Sequence, residues 1–225
     1  QILCYVKEHS AKQGTPTMGG IAFVVAIGVC ALIFCGVSDR TTIVAVAVFV
    51  AYAVIGFLDD FVKVRYKQNQ GLKAYQKILF QLVVAVLVAL YVCGNHAVGG
   101  NLLLPFSGRT ISIGKWIIPF VVFIFVACTN GVNLTDGIDG LATSTTMCFL
   151  GGMIILVGRE AVLCEQLGDT YAAEVCGNLV TVCWVGCGAL AAFLLFNVND
   201  ARVFMGDTGS LALGALVACV AIFAR

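Results

Sequence analysis

The sequence predicts an all-α, polytopic integral membrane helix bundle, and three observations carry that reading. Of the 225 residues, 60% are hydrophobic and 11% charged, where a soluble domain carries about 25% charged residues. Mean hydropathy is +1.01. Seven apolar stretches (18–37, 43–58, 78–93, 117–134, 141–157, 175–196 and 209–224) are separated by polar segments, and each is long enough, or nearly so, to cross a hydrocarbon core of ~30 Å as a helix. The net charge of +1 and the lack of a basic run speak against a nucleic-acid partner. Eleven cysteines lie scattered, many in apolar runs (Cys30, Cys35, Cys128, Cys148, Cys219), where cysteine acts as a small hydrophobe. Cys183 and Cys187 share a helix face, but no CxxC or Cys/His ligand spacing occurs, which argues against thiolate–metal and redox chemistry.

Taken in order, the crossings alternate the polar segments between two faces. Segments 1–17, 59–77, 135–140 and 197–208 share one face; 38–42, 94–116, 158–174 and the C-terminal end share the other. The first face carries Lys7, Lys12, Lys63, Arg65, Lys67, Lys73, Lys77 and Arg202; the second carries Arg40, Arg109, Lys115, Arg159 and Arg225. This bias puts the first face in the cytoplasm. On the outer face, 101–116 alternates apolar and polar residues around Pro105 and Ser107-Gly108 and predicts a short hairpin. Segment 159–175, with Glu160, Glu165, Asp169 and Glu174 on a wet side, predicts an amphipathic interfacial helix. The whole chain, 1–225, reads as one transmembrane domain. Gln1, inside a polar stretch, and Arg225, directly after an apolar helix, read as cuts through a longer protein.

The chemistry concentrates on the first face. Glu8, Asp59, Asp60, Asp136, Asp139, Asp200 and Asp207 all fall there, five of them expected at helix ends, where a carboxylate must be wetted, paired or metal-bound. Asp59-Asp60 in GFLDDFVK is either a helix-surface pair with Lys63 at i+4 or a Mg²⁺ or phosphate site. Asn130 to Gly140 (NGVNLTDGIDG) packs three glycines, two asparagines and two aspartates between apolar helices. That is richer than a capped turn requires, and suits hydrogen bonding to a base or sugar. Gly206-Asp207-Thr208-Gly209-Ser210 opens the last helix, with Asp207 as an N-cap or a Mg²⁺ ligand. Lys12 to Gly20 (KQGTPTMGG) reads as a phosphate clamp or as a loop capped by Thr17. His9 reads as a polar loop residue, and no role falls to His96 on the other face.

Read together, KQGTPTMGG, FLDDFVK, NGVNLTDGIDGLA and FMGDTGSLALG resemble the polyprenyl-phosphate N-acetylhexosamine-1-phosphate transferase superfamily, closest to its phospho-N-acetylmuramoyl-pentapeptide transferase branch. The resemblance covers essentially the whole chain in order. It implies about ten spanning helices, of which this stretch would lack the first and the last two, and with them a histidine-rich cytoplasmic loop. It implies a bacterial inner-membrane enzyme with a cytoplasmic site and a Mg²⁺ cofactor. Such an enzyme moves phospho-N-acetylmuramoyl-pentapeptide from UDP to undecaprenyl phosphate, giving lipid I and UMP; a homodimer is a further family expectation. One departure is Asp200, where the family commonly has proline, and a changed loop shape is expected there.

By the same resemblance, Asp207 holds Mg²⁺ with help from Asp60, and Asp59 positions or deprotonates the lipid phosphate. The turn Asp136-Gly137-Ile138-Asp139 receives uridine, with Asp139 and backbone groups near uracil and Phe204 stacking. Lys12, Thr17, Asn133, Asp136 and Asn197 complete the nucleotide-sugar pocket, and Lys63 and Lys77 contact phosphate. Two alternatives stand beside this: a superfamily member using UDP-N-acetylglucosamine, and an ion-coupled transporter. The TPTMGG run argues against the first. The second expects facing charges across both halves of the membrane.

Overall fold

A computed structural model describes residues 15–36, 39–66, 71–95, 101–103, 110–198 and 200–224. It has seven helices among these residues: α1 (Gly20–Cys35), α2 (Arg40–Arg65), α3 (Ala74–Gly94), α4 (Ile117–Thr135), α5 (Leu141–Gln166), α6 (Thr170–Asn197) and α7 (Gly206–Phe223). Six are long and apolar enough to cross a membrane, whereas α1, with 16 residues, is shorter. At 1.5 Å per residue α1 measures about 24 Å. The expected hairpin is present: β1 (Asn101–Leu103) pairs antiparallel with β2 (Thr110–Ser112), Asn101 opposite Ser112. A 3₁₀ turn at Gly114–Trp116 leads into α4.

Two expectations are corrected. The separate interfacial helix over 159–175 does not form. Instead α5 runs to Gln166, Gly168 turns the chain at φ 78, and Asp169 starts α6 by accepting from Ala172 N at 3.0 Å. A left-handed glycine followed by an acidic cap is a stop-and-start signal that overrides the amphipathic pattern. The apolar stretch expected to end at residue 58 continues as helix to Arg65. Asp59 and Asp60 therefore lie inside α2, about 9 Å before its end. The basic Lys63 and Arg65 in the last turn complement the helix dipole and support the extension.

α7 is the central post, with 72% of its apolar window buried against 11% for α5. Both hydrophobic clusters run through α2 and α7. One joins them to α3 and α4 around Tyr52, Phe125 and Leu211; the other joins them to α1 and α6 around Ile27, Phe49 and Leu213. Small residues along α7 allow this. A Cβ on Gly214 would stand 2.4 Å from the Thr129 Cα of α4, and one on Gly20 would stand 2.5 Å from the Gly209 Cα of α7. In lipid, where no hydrophobic force pulls helices together, such backbone approach supplies the packing.

The packing also joins the four polar segments assigned to one face. Gly19 N donates to Phe204 O at 2.8 Å and Phe204 N to Pro16 O at 2.9 Å. Gly140 N donates to Asn197 Oδ1 at 3.2 Å, and Thr208 N to Asp60 Oδ2 at 2.8 Å.

Candidate active site

The site forms where α2 meets the start of α7. The helices touch backbone to backbone: a Cβ on Gly56 would lie 2.1 Å from Asp207 O. One turn on, Asp60 is buried (5% exposed) and reaches across to α7. Its Oδ1 accepts from Asp207 N at 3.1 Å, and its Oδ2 from Thr208 N and Thr208 Oγ1, each at 2.8 Å. Met205, at the N-cap of α7, contributes no side-chain cap. The first-turn N–H groups, orphaned in any helix, are thus met by an acid from a neighbouring helix. Gly206 sits between them at φ 71, and a Cβ there would lie 2.5 Å from Asp60 Oδ2.

Held this way, the Asp207 carboxylate meets three donors. Oδ2 accepts from Lys63 Nζ at 2.6 Å and Lys77 Nζ at 3.1 Å, and Oδ1 from Asn133 Nδ2 at 2.6 Å. Asn133 also donates to Ser210 Oγ at 2.8 Å. Lys63 Nζ reaches Asp59 Oδ2 at 2.5 Å as well. The i, i+4 pair expected on α2 therefore exists, but inside a larger network. Asp59 is buried (3% exposed), and its second oxygen draws the loop after α2 back over the cluster through Leu72 N.

Carboxylate oxygens of Asp59, Asp60 and Asp207 all lie within 4.8 Å of one another. Three acids against two lysines leave an excess negative charge, and the donor set is all oxygen. Those are the preferences of a hard divalent cation, so the residues fit Mg²⁺. Asp207 is the most open of the three, its side chain 17% exposed. Behind it lies a pair absent from the sequence reading. Asn130 Nδ2 donates to Gln81 Oε1 at 2.7 Å, with Gln81 wholly buried and its main-chain carbonyl accepting from Tyr52 Oη at 3.0 Å. Gln81 lies one turn from Lys77 and Asn130 one turn from Asn133, so polar residues at helical spacing in apolar helices were the available signal.

The turn after α4 adjoins this cluster. Asp136 closes α4 and is half-buried. Burial, with the nearby charges of Asp207, Asp60 and Asp139, pushes its pKa up to about 7. Asp139 Oδ2 accepts from Ala201 N at 3.2 Å. Gly137 and Ile138 are exposed at the tip of the turn. Asn197 is buried (2% exposed), its amide engaged with Gly140 N, Thr143 Oγ1 at 3.0 Å and Val203 O at 3.0 Å. It braces the 136–140 and 198–205 loops and offers little to a ligand. Phe204 is half-buried, its main chain tied to the loop before α1. Thr17 is exposed and does not cap α1, whose N-cap is Gly19; Lys12 lies outside the described residues. Asp200 takes φ 55, which proline's ring forbids, so the loop differs in shape from one with proline there.

The glycosyl transferase family 4 model matches residues 41–225. A phospho-N-acetylmuramoyl-pentapeptide-transferase signature matches residues 12–24. A curated phospho-N-acetylmuramoyl-pentapeptide-transferase of Clostridium novyi is 40% identical over 219 residues, covering 97% of this chain and 63% of the relative. Proteins of the same name from Desulfitobacterium hafniense (40% over 223 residues; 97% and 65%) and Clostridium perfringens (41% over 219 residues; 97% and 64%) are similar to the same degree. The chain spans slightly under two thirds of the length of these relatives. With a family model covering α2 to α7 and the acids, lysines and glycines of its motifs gathered at one end of the bundle, the chain belongs to glycosyl transferase family 4.

Proposed function

We propose that the protein containing this chain transfers phospho-N-acetylmuramoyl-pentapeptide from its UDP carrier to undecaprenyl phosphate, releasing UMP and forming lipid I. The observation that carries the proposal is the Asp207 carboxylate, held between Lys63, Lys77 and Asn133 where α2, α3, α4 and α7 meet. The signature at residues 12–24 and the names of the relatives favour the muramoyl branch over one using UDP-N-acetylglucosamine. A transporter reading loses support because Asp59, Asp60 and Asp207 gather at one end.

Two anionic phosphates must meet, so positioning and charge neutralisation dominate the chemistry. Bound Mg²⁺ supplies positive charge to the UDP diphosphate, and Asp207 would hold it. Lys63 and Lys77, freed from part of their pairing with Asp207, turn toward phosphate oxygens. Asp59 orients the lipid phosphate through Lys63 for in-line attack on the β-phosphorus. Strong base catalysis is unnecessary, because a phosphate monoester's second pKa is about 6. Asp139, the backbone of Gly137 and Ile138, and Phe204 hold uridine. Asp136 and Thr17 border the pocket, and Lys12 adds a phosphate contact. A cytoplasmic site, an inner-membrane location and a homodimer belong to the same proposal.

The test is UMP release by the full-length protein in detergent, with undecaprenyl phosphate, Mg²⁺ and either UDP-N-acetylmuramoyl-pentapeptide or UDP-N-acetylglucosamine, with and without EDTA. Mg²⁺-dependent UMP from the muramoyl substrate alone is expected. Release from the other sugar alone would move the branch. Asp207→Asn should lower turnover by at least about 100-fold, the scale of losing one transition-state electrostatic contact, while the protein still extracts as a monodisperse species.

A further inference from the structure

We propose that Asp60 is a positioning residue: it caps α7 from the neighbouring helix and thereby sets where the Asp207 carboxylate points. The inference rests on Asp207 being the metal-holding acid, and it takes Asp60 out of the metal's coordination sphere. A carboxylate offers about four lone-pair positions. Three on Asp60 are taken by Asp207 N, Thr208 N and Thr208 Oγ1. Toward the other cation at hand, Lys63 Nζ, Oδ1 stands at 3.7 Å, beyond a good hydrogen bond. With 5% of the residue exposed, little room remains for a ligand to approach.

The same contacts explain why the acid is there. The N-terminus of a helix carries partial positive charge and unpaired N–H groups, and α7 receives no cap from its own Met205. Asp207 and Thr208 are the second and third residues of α7. Fixing their N–H groups fixes the Asp207 Cα–Cβ direction, which aims the carboxylate at Lys63, Lys77 and Asn133. Gly56 and Gly206 make room, since a Cβ on either would meet Asp207 O or Asp60 Oδ2 at 2.1 and 2.5 Å. Of the adjacent pair, then, Asp59 serves the lysine and the loop over it, and Asp60 serves the helix.

Asp60→Asn, Thr208→Val, their double mutant and Asp207→Asn are compared in the full-length protein by three readouts. These are thermal unfolding in detergent with EDTA, Mn²⁺ affinity by EPR titration, and UMP release. A cap predicts that Asp60→Asn and Thr208→Val both lower the metal-free Tm, and that the double mutant loses clearly less than the sum. Mn²⁺ dissociation constants should stay within about threefold of wild type for both, while Asp207→Asn weakens binding at least tenfold. Turnover should fall for Asp60→Asn through kcat, with KM for Mg²⁺ little changed. An unchanged metal-free Tm for Asp60→Asn overturns the proposal, as does Mn²⁺ binding weakened as much as by Asp207→Asn with Thr208→Val unaffected. If wild-type protein binds no Mn²⁺, the metal reading of Asp207 fails, and the EDTA unfolding data still decide the cap.

Discussion

Gly56→Ala is the smallest change that should disturb the site without touching any of its charged groups. The new Cβ would stand 2.1 Å from Asp207 O, 2.4 Å from Asp207 C and 2.6 Å from Thr208 Cα. All three are backbone atoms, so no side chain can swing away. Ordinary carbon contacts begin near 3.5 Å, and α2 and α7 must separate by more than about 1 Å. Overpacking of this kind costs about 1–3 kcal/mol. The same separation stretches the three Asp60 bonds to α7, now 2.8–3.1 Å, past useful length, and losing a cap costs about 1 kcal/mol more. Against this, alanine in place of a helical glycine gains up to about 1 kcal/mol, leaving a net loss of about 1–3 kcal/mol. At 2–4 °C per kcal/mol for chains of this size, Tm should fall by roughly 2–12 °C. Thermal unfolding in detergent, followed by tryptophan fluorescence, measures it, with Gly151→Ala as control because nothing lies within 4 Å of a Cβ there. Gly56→Ala unfolding at or above the Tm of Gly151→Ala would refute the reasoning.

Asp136 predicts a pH dependence. Its pKa is raised to about 7 by burial and neighbouring acids, so the folded protein keeps a proton that the unfolded chain has released. Stability therefore falls as pH rises from about 4 to about 7 and levels off above. Asp136→Asn removes that slope, and its Tm advantage over wild type in metal-free buffer should grow from pH 5 to pH 8; a constant difference would exclude the shift. The Gln81–Asn130 pair predicts non-additivity. Either Gln81→Leu or Asn130→Leu strands a polar partner at a cost of about 1–3 kcal/mol. The double mutant should lose less than the two single losses together, and additive losses in unfolding experiments would deny the pairing.

Much of the site could be read from residue types and crossing parity alone. Asp59, Asp60 and Lys63 stand in one motif, Asn133 and Asp207 in two others, and the alternation of apolar stretches groups Asp59, Asp60, Lys63, Lys77 and Asp207 on one face. What parity cannot supply is which oxygen meets which hydrogen. Asn197 shows the limit: its amide suits a nucleotide pocket, yet in the fold it is buried and spent on Gly140, Thr143 and Val203. Thr17 reads as a cap from its position, yet the loop before α1 is held by backbone bonds to Phe204 and Met205 instead.

Residue order alone was enough to read the helix bundle, the gathering of the polar segments at one end, the hairpin and the family. Hydrophobic length, local turn chemistry and contiguous motifs are properties of neighbouring residues. That Asp60 caps α7, that Asp59 holds Leu72 and that Gln81 backs Asn130 became visible in the folded chain alone. Those partners lie 148, 13 and 49 residues apart. The first pair meets because Gly56 lets the α2 and α7 backbones come together, and in all three, polar groups buried in the bundle find partners in space rather than along the chain.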